Sequence, residues 1–216
     1  MSRIFATLAL FAVGLLITNF CIGLFGGDYN GQYMQLLKMQ QQLNQLRTDG
    51  DHEAATKMEQ GLATGLTDIE PLQRHTRMHM LTGVLAALMT VLVNSIAVTY
   101  FVGTSRWCKE VVQTYDLAPD FIVRANRLKR GTFPWSLAGM LIVVGIIALG
   151  AASDPGTRRI DTAQWVTYHF MGAIVGSSLI AWALWVQFRN IRANHGIIEE
   201  VLAEVYRVRS ERGLEV

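Results

Sequence analysis

Hydrophobic residues along this 216-residue chain gather into four stretches that contain no Lys, Arg, Asp or Glu, while the segments between them are polar and charged. The four stretches cover residues 4–25, 78–102, 134–152 and 165–188. A hydrocarbon core is ~30 Å thick and a helix rises about 1.5 Å per residue, so each stretch is long enough to cross a bilayer. The pattern therefore predicts an all-α polytopic membrane protein with four transmembrane helices in one bundle.

The first stretch has two interpretations, because Arg3 followed by an apolar run also fits a cleaved signal peptide. The run is longer than the apolar region of a signal peptide, and residues 18–21 lack the small side chains expected before a cleavage site. We expect an uncleaved anchor.

Basic residues predict which side of the membrane each segment faces. They concentrate in the 104–133 segment, as Arg106, Lys109, Arg124, Arg127, Lys129 and Arg130. In the 153–164 segment, by contrast, Arg158 and Arg159 are balanced by acids. The positive-inside rule then places the 104–133 segment and both termini in the cytoplasm, in the inner (plasma) membrane of a prokaryote-like cell.

The outer segment 28–73 predicts a helical hairpin. Leu36, Met39, Leu43 and Leu46 share one helical face, and residues 48–51 form a turn. A second helix then runs through Ala55, Met58 and Leu62, and Pro71 lies just ahead of the second span. The apolar faces of this hairpin either pack on each other or bind a partner.

On the inner side, the sequence predicts two short helices over 105–117 and 119–129 and a tail over 189–216 that continues the fourth span as a helix. The tail has an apolar stripe formed by Ile198, Val201, Val205 and Val208. This stripe suits either a short coiled-coil seam with another subunit or packing against the 104–133 segment of the same chain.

Histidine is uncommon inside membrane spans, and here it occurs on two faces made of small and polar residues. The face on the second span comprises His75, His79, Gly83, Ala87, Thr90, Asn94 and Ala97, and that on the fourth comprises His169, Gly172, Gly176 and Ala183. His79 and His169 each lie within two turns of the outer end of their spans, so we expect their imidazoles at similar depth.

Two facing imidazoles can supply both axial ligands of a haem. Small residues one turn below them would leave room for the macrocycle, and arginines at the mouth could pair with its propionates. The residues predicted to hold haem b are His79, His169, Gly83, Gly172, Arg74 and Arg77.

Two other interpretations use the same histidines. His75, His79 and His169 could hold a transition metal, with Met78, Met80 or Met171 as soft ligands for copper. Alternatively, the imidazoles only hydrogen-bond lipid phosphates, water or backbone carbonyls.

Composition excludes several classes of function. The net charge of +2 is too small to favour nucleic-acid binding. Cys21 and Cys108 are expected on opposite faces of the membrane, which disfavours a disulfide. No nucleophile–base pair or carboxylate pair is evident, so the sequence favours a non-catalytic membrane subunit or scaffold, in contact with lipid and with other subunits or a second copy of itself. A haem b electron-transfer subunit is the alternative.

Overall fold

The computed structural model describes residues 1–157 and 161–214, so Arg158 and Arg159 of the predicted outer segment lie outside the described residues. The chain is 92% helical, and the described part contains no strand. The α-helices are α1 (Ser2–Leu24), α2 (Tyr29–Asp49), α3 (His52–Tyr115), α4 (Asp120–Ser153) and α5 (Thr162–Glu211), with a short 3₁₀ turn at Pro155–Thr157.

Helices α1, α3, α4 and α5 are each long and apolar enough to cross a membrane. Large apolar side chains point outward along all four of them, including Leu10, Leu88, Leu141 and Met171, each more than half exposed. A surface of this kind suits contact with lipid rather than water. The sequence-based prediction of four apolar spans is confirmed.

The helices are longer than the sequence pattern predicts. The second helix of the outer hairpin and the second span form one helix, α3, with Pro71 inside it. Proline removes one hydrogen bond from a helix but does not always end it. The short inner helices are likewise extensions of α3 and α4, separated by a turn at Asp116, whose φ is 55°. The predicted continuation of the fourth span into the tail agrees with α5.

By their internal contacts, the helices divide into two compact units. The paired-histidine unit comprises Leu15–Leu85 and Gly145–Val175. The tail unit comprises Met1–Gly14, Ala86–Val144 and Gly176–Val216. Each of the four long helices contributes to both units.

Within the paired-histidine unit, α2 and the start of α3 pack as an antiparallel hairpin, here called the α2–α3 arm, and the predicted turn joins them. Asp51 caps α3 by accepting a hydrogen bond from the Ala54 amide at 3.0 Å, and Gly50 ends α2 in the left-handed conformation. The two helices bury a small core made of Leu43, Ala55 and Leu62. The arm therefore covers its apolar stripe with its own residues.

Within the tail unit, the apolar stripe of α5 packs on the same chain. Ile197 and Val201 are buried in one cluster with Cys108 and Val112 of α3 and Ala125 of α4. The sequence leaves two alternatives open for the tail stripe, a coiled-coil seam or packing against the 104–133 segment. In the structure the stripe packs against the 104–133 segment.

Candidate paired-histidine site

His79 and His169 face each other in the paired-histidine unit. Their ring centroids are 6.1 Å apart and their planes are inclined at 74°. The two side chains come from α3 and α5. The expected approach of these two imidazoles is therefore present.

The His79 ring is held against α1. Its Nδ1 lies 3.1 Å from the backbone oxygen of Asn19. Because a carbonyl only accepts hydrogen bonds, Nδ1 carries the proton and donates, which leaves the Nε2 lone pair free. The ring lies on Gly23, where an added Cβ would stand 2.9 Å from Cε1 of His79.

The His169 ring is held against α4 in the same manner. An added Cβ at Gly150 would stand 3.0 Å from Cε1 of His169. The backbone of Ile146 interacts with the same imidazole, although Nδ1 of His169 is buried without a well-formed hydrogen bond in the described part of the chain.

His75 does not join the pair. Its Nε2 donates to the backbone oxygen of Ile22 at 2.7 Å, one helical turn from the contact that His79 makes. Among the residues that the structure describes, no three His, Cys, Asp or Glu side chains are close enough to hold a metal ion. The structure thus brings together two of the three histidines predicted as metal ligands.

The predicted thioether ligands also lie away from the pair. Met78, Met80 and Met171 are each more than half exposed, on the outward faces of α3 and α5. An outward methionine cannot bind a metal between two inward imidazoles, so these three residues supply no soft ligand for copper there.

Gly83 and Gly172 lie where predicted, but the space beside each is filled. A Cβ at Gly83 would stand 3.2 Å from Nδ2 of Asn19, and one at Gly172 would stand 2.6 Å from Cδ1 of Leu149. The structure therefore corrects the expectation of open room at these glycines, because side chains of α1 and α4 occupy it.

Arg74 and Arg77 are exposed on α3, in the turns just before His79. Arg74 lies 3.8 Å from Glu70 on its own helix, and both side chains are largely exposed. These guanidinium groups are accessible to an anion, as the haem prediction requires.

The glycines that seat the imidazoles, Gly23 and Gly150, were not identified from the sequence. Asn19, whose backbone oxygen accepts from His79, is a polar residue inside the first apolar stretch. The available signal is that each glycine lies near the end of the span that precedes a histidine-bearing span.

No family model matches this sequence, and no curated protein sequence or solved structure is significantly similar to the chain. The function of the paired-histidine site must therefore be argued from its own geometry.

Proposed function

We propose that this chain is an electron-transfer subunit of a prokaryotic plasma membrane and that it holds a haem b between His79 and His169. The observation that carries the proposal is the 6.1 Å separation of the two ring centroids. With each nitrogen about 2 Å from a shared metal and about 1 Å from its own ring centre, two axial imidazoles have centroids about 6 Å apart.

The hydrogen bond to Asn19 also supports metal ligation by His79. A metal-bound imidazole typically donates its other N–H to a backbone carbonyl or a carboxylate, which fixes the tautomer and the ring orientation. His79 already donates Nδ1–H to such a carbonyl. Its Nε2 is then the ligand atom.

The number of protein ligands favours haem over a bare ion. A tetrahedral zinc or a soft copper site takes three or four protein ligands, and the described residues offer only the two imidazoles here. A porphyrin supplies four nitrogens of its own and needs only the axial pair. The haem would carry one electron at a time through the iron.

Haem binding requires two side chains to change position. Asn19 and Leu149 fill the space beside Gly83 and Gly172, so both side chains would have to turn aside for this site to hold a macrocycle. The Oδ1 atom of Asn19 is buried without a hydrogen-bond partner in the described part of the chain, so moving this side chain breaks no bond to that atom.

In the proposed topology, the four spans form one bundle with both termini in the cytoplasm. The α2–α3 arm and the His79–His169 pair are then expected on the outer side. In this topology Arg74 and Arg77 would lie at the outer interface, where their guanidinium groups could hold the haem propionates. This pairing would also explain why two basic residues occur on the outer side.

The test is an absorption spectrum of the full-length protein purified in mild detergent after expression with ample haem. We expect a Soret band that shifts on dithionite reduction and is lost in His79→Ala and in His169→Ala. His52→Ala and His195→Ala, both on exposed helical surface, are the matched controls and should retain the band. Absence of the band in the wild type would refute the proposal, and a band that survives the double variant would refute the ligand assignment.

A second candidate function is a non-catalytic scaffold, favoured by the solvent-exposed face of the C-terminal part of α5. Leu202 and Tyr206 are exposed one turn apart on α5, although Val201 beside them is fully buried. This apolar pair would dock another membrane subunit or a second copy of the chain. Under this alternative, Leu202→Ser/Tyr206→Ser should abolish a larger assembly seen for the wild type in mild detergent, and a wild type that is monomeric when purified from its native membrane would exclude it.

A further inference from the structure

The two helices that seat the imidazoles, α1 and α4, have the same pattern of buried positions. Along α1 the buried residues are Phe5, Ala9, Ala12 and Leu16. Along α4 the buried residues are Ala125, Thr132, Ser136, Gly139 and Val143, and the last four match those of α1. Thr132 corresponds to Phe5, Ser136 to Ala9, Gly139 to Ala12 and Val143 to Leu16. The separation in residue number is the same for all four pairs. The residue types differ, so the likeness is in register rather than in sequence.

The two histidine-bearing helices match in the same way. Residues 91–100 of α3 and residues 181–190 of α5 have identical patterns of buried, half-buried and exposed positions. The offset that relates these two stretches also relates His79 to His169. It is smaller than the offset between α1 and α4, because the α2–α3 arm lengthens the first connection.

The contacts at the imidazoles repeat as well. An added Cβ at Gly23 would lie 2.9, 3.3 and 3.5 Å from Cε1, Nδ1 and Nε2 of His79. The corresponding distances from Gly150 to the same atoms of His169 are 3.0, 3.4 and 3.6 Å. Gly23 and Gly150 are related by the offset that relates the buried residues of α1 to those of α4.

We infer that α1 with α3 and α4 with α5 are structural repeats, and that each repeat supplies one axial histidine together with the glycine that positions it. The assignment of repeats rests on the geometry alone, whereas the role of the histidines as haem ligands rests on the proposed function. Gly23 and Gly150 are therefore equivalent positioning residues, since only a residue without Cβ lets the neighbouring imidazole lie against the helix backbone.

The experiment compares Gly23→Ala and Gly150→Ala in the full-length protein, with Gly14→Ala and Gly145→Ala as controls. Each control lies on the same helix as one test glycine, and a Cβ there would meet nothing within 4 Å in the described part of the chain. Two readouts are used: haem affinity, and the side-chain ¹⁵N resonances of the two histidines before haem is added.

We expect each test variant to lower haem affinity by a similar factor, on the order of 10- to 100-fold, as for other residues that orient a metal ligand. Before haem is added, Gly23→Ala should shift the resonances of His79 alone and Gly150→Ala those of His169 alone. Both controls should leave affinity and resonances unchanged. A protein that binds no haem but shows these shifts would refute the proposed function and support the repeats.

Equal behaviour of test and control variants, or an effect at only one of the two glycines, would overturn the inference. If Gly23→Ala does not accumulate, Gly23→Ala/His79→Ala provides a further test, because it removes the ring that the new methyl group meets. It should accumulate at the level of His79→Ala alone. Failure to do so would mean that the methyl group clashes elsewhere, which also contradicts the inference.

Discussion

Asn94 and Gln187 are hydrogen-bonded to each other in the tail unit, with Nε2 of Gln187 donating to Oδ1 of Asn94 at 2.8 Å. Both side chains have zero solvent exposure. Asn94 also donates to the backbone oxygen of Thr90 at 2.7 Å. This hydrogen bond joins α3 to α5. Polar side chains inside membrane spans commonly stabilise the packing of helices through such bonds.

The Asn94–Gln187 bond predicts a measurable coupling between the two residues. In a double-mutant cycle of Asn94→Ala and Gln187→Ala, we expect a coupling free energy of about 0.6 kcal/mol, the average for such bonds within membranes. Unfolding in mixed detergent micelles gives the four free energies of unfolding. Ser95→Ala combined with Gln187→Ala is the control cycle and should show no coupling, since the exposed Ser95 hydroxyl bonds only to Val91 of its own helix. A coupling of zero between Asn94 and Gln187 would contradict the prediction.

Gly139 is predicted to be intolerant of a side chain because of the same pair. A Cβ at this position would lie 2.9 Å from Oδ1 and 3.1 Å from Nδ2 of Asn94. Asn94 is fully buried, so Gly139→Ala should displace its amide and lower the free energy of unfolding by about 1–3 kcal/mol, the usual cost of overpacking.

The matched control for Gly139→Ala is Gly145→Ala on the same helix, where the new methyl group meets nothing within 4 Å among the described residues. Alanine favours a helix over glycine by up to about 1 kcal/mol, so this control should be neutral or stabilising. A Gly139→Ala protein as stable as Gly145→Ala in the same unfolding assay would show that Asn94 relaxes without cost.

Some features of the fold can be predicted from sequence because a single physical effect decides them. A run without charge, such as 134–152, cannot be interrupted by a polar loop in hydrocarbon, so the spans follow directly from the pattern. The continuity of α3 through Pro71 could not be predicted, because an interior proline costs a helix about 3 kcal/mol or more and so favours a helix end there.

The candidate site divides in the same way. The approach of His79 and His169 agrees with the similar depth that the helical rise predicts for them in two spans expected to run in the same direction. The contacts of the two imidazoles with Gly23 and Gly150 depend on which neighbouring helix each ring meets. The sequence pattern of a single helix does not contain that information. The filling of the space beside Gly83 by Asn19 has the same origin.

The ion pair of Arg124 with Glu200 predicts a small pH-dependent stabilisation. Arg124 donates two hydrogen bonds to the carboxylate, at 2.7 and 2.9 Å, and this lowers the pKa of Glu200 below its ordinary value. A carboxyl group with a lowered pKa stabilises the fold above its unfolded pKa, and the stabilisation is lost as the pH falls through the folded pKa.

We therefore expect Glu200→Gln to lower the free energy of unfolding at pH 7 by less than about 1 kcal/mol, since solvent screens a pair whose side chains are 38% and 51% exposed. The difference from wild type should begin to shrink as the pH falls below the unfolded glutamate pKa of about 4.3, and it should also shrink in high salt. Glu199→Gln, which removes a carboxylate that lies 3.5 Å from His195 of its own helix, is the control. A difference that grows as the pH falls would contradict the assigned sign.

Cys108 is predicted to be a slow nucleophile in the folded protein. Its side chain is 2% exposed, within the cluster that includes Val112 and Val201. Burial raises the pKa of the Cys108 thiol, so the thiolate that reacts with maleimide is scarce at pH 7.

In a Cys21→Ser background, labelling should be slow in mild detergent and become fast after denaturation in SDS. Val201→Ala should accelerate labelling of the folded protein by loosening the cluster, whereas Leu202→Ala, on the exposed face of the same helix, should leave the rate unchanged. Labelling of the folded protein at the denatured rate would mean that the tail helix does not pack on α3 in solution.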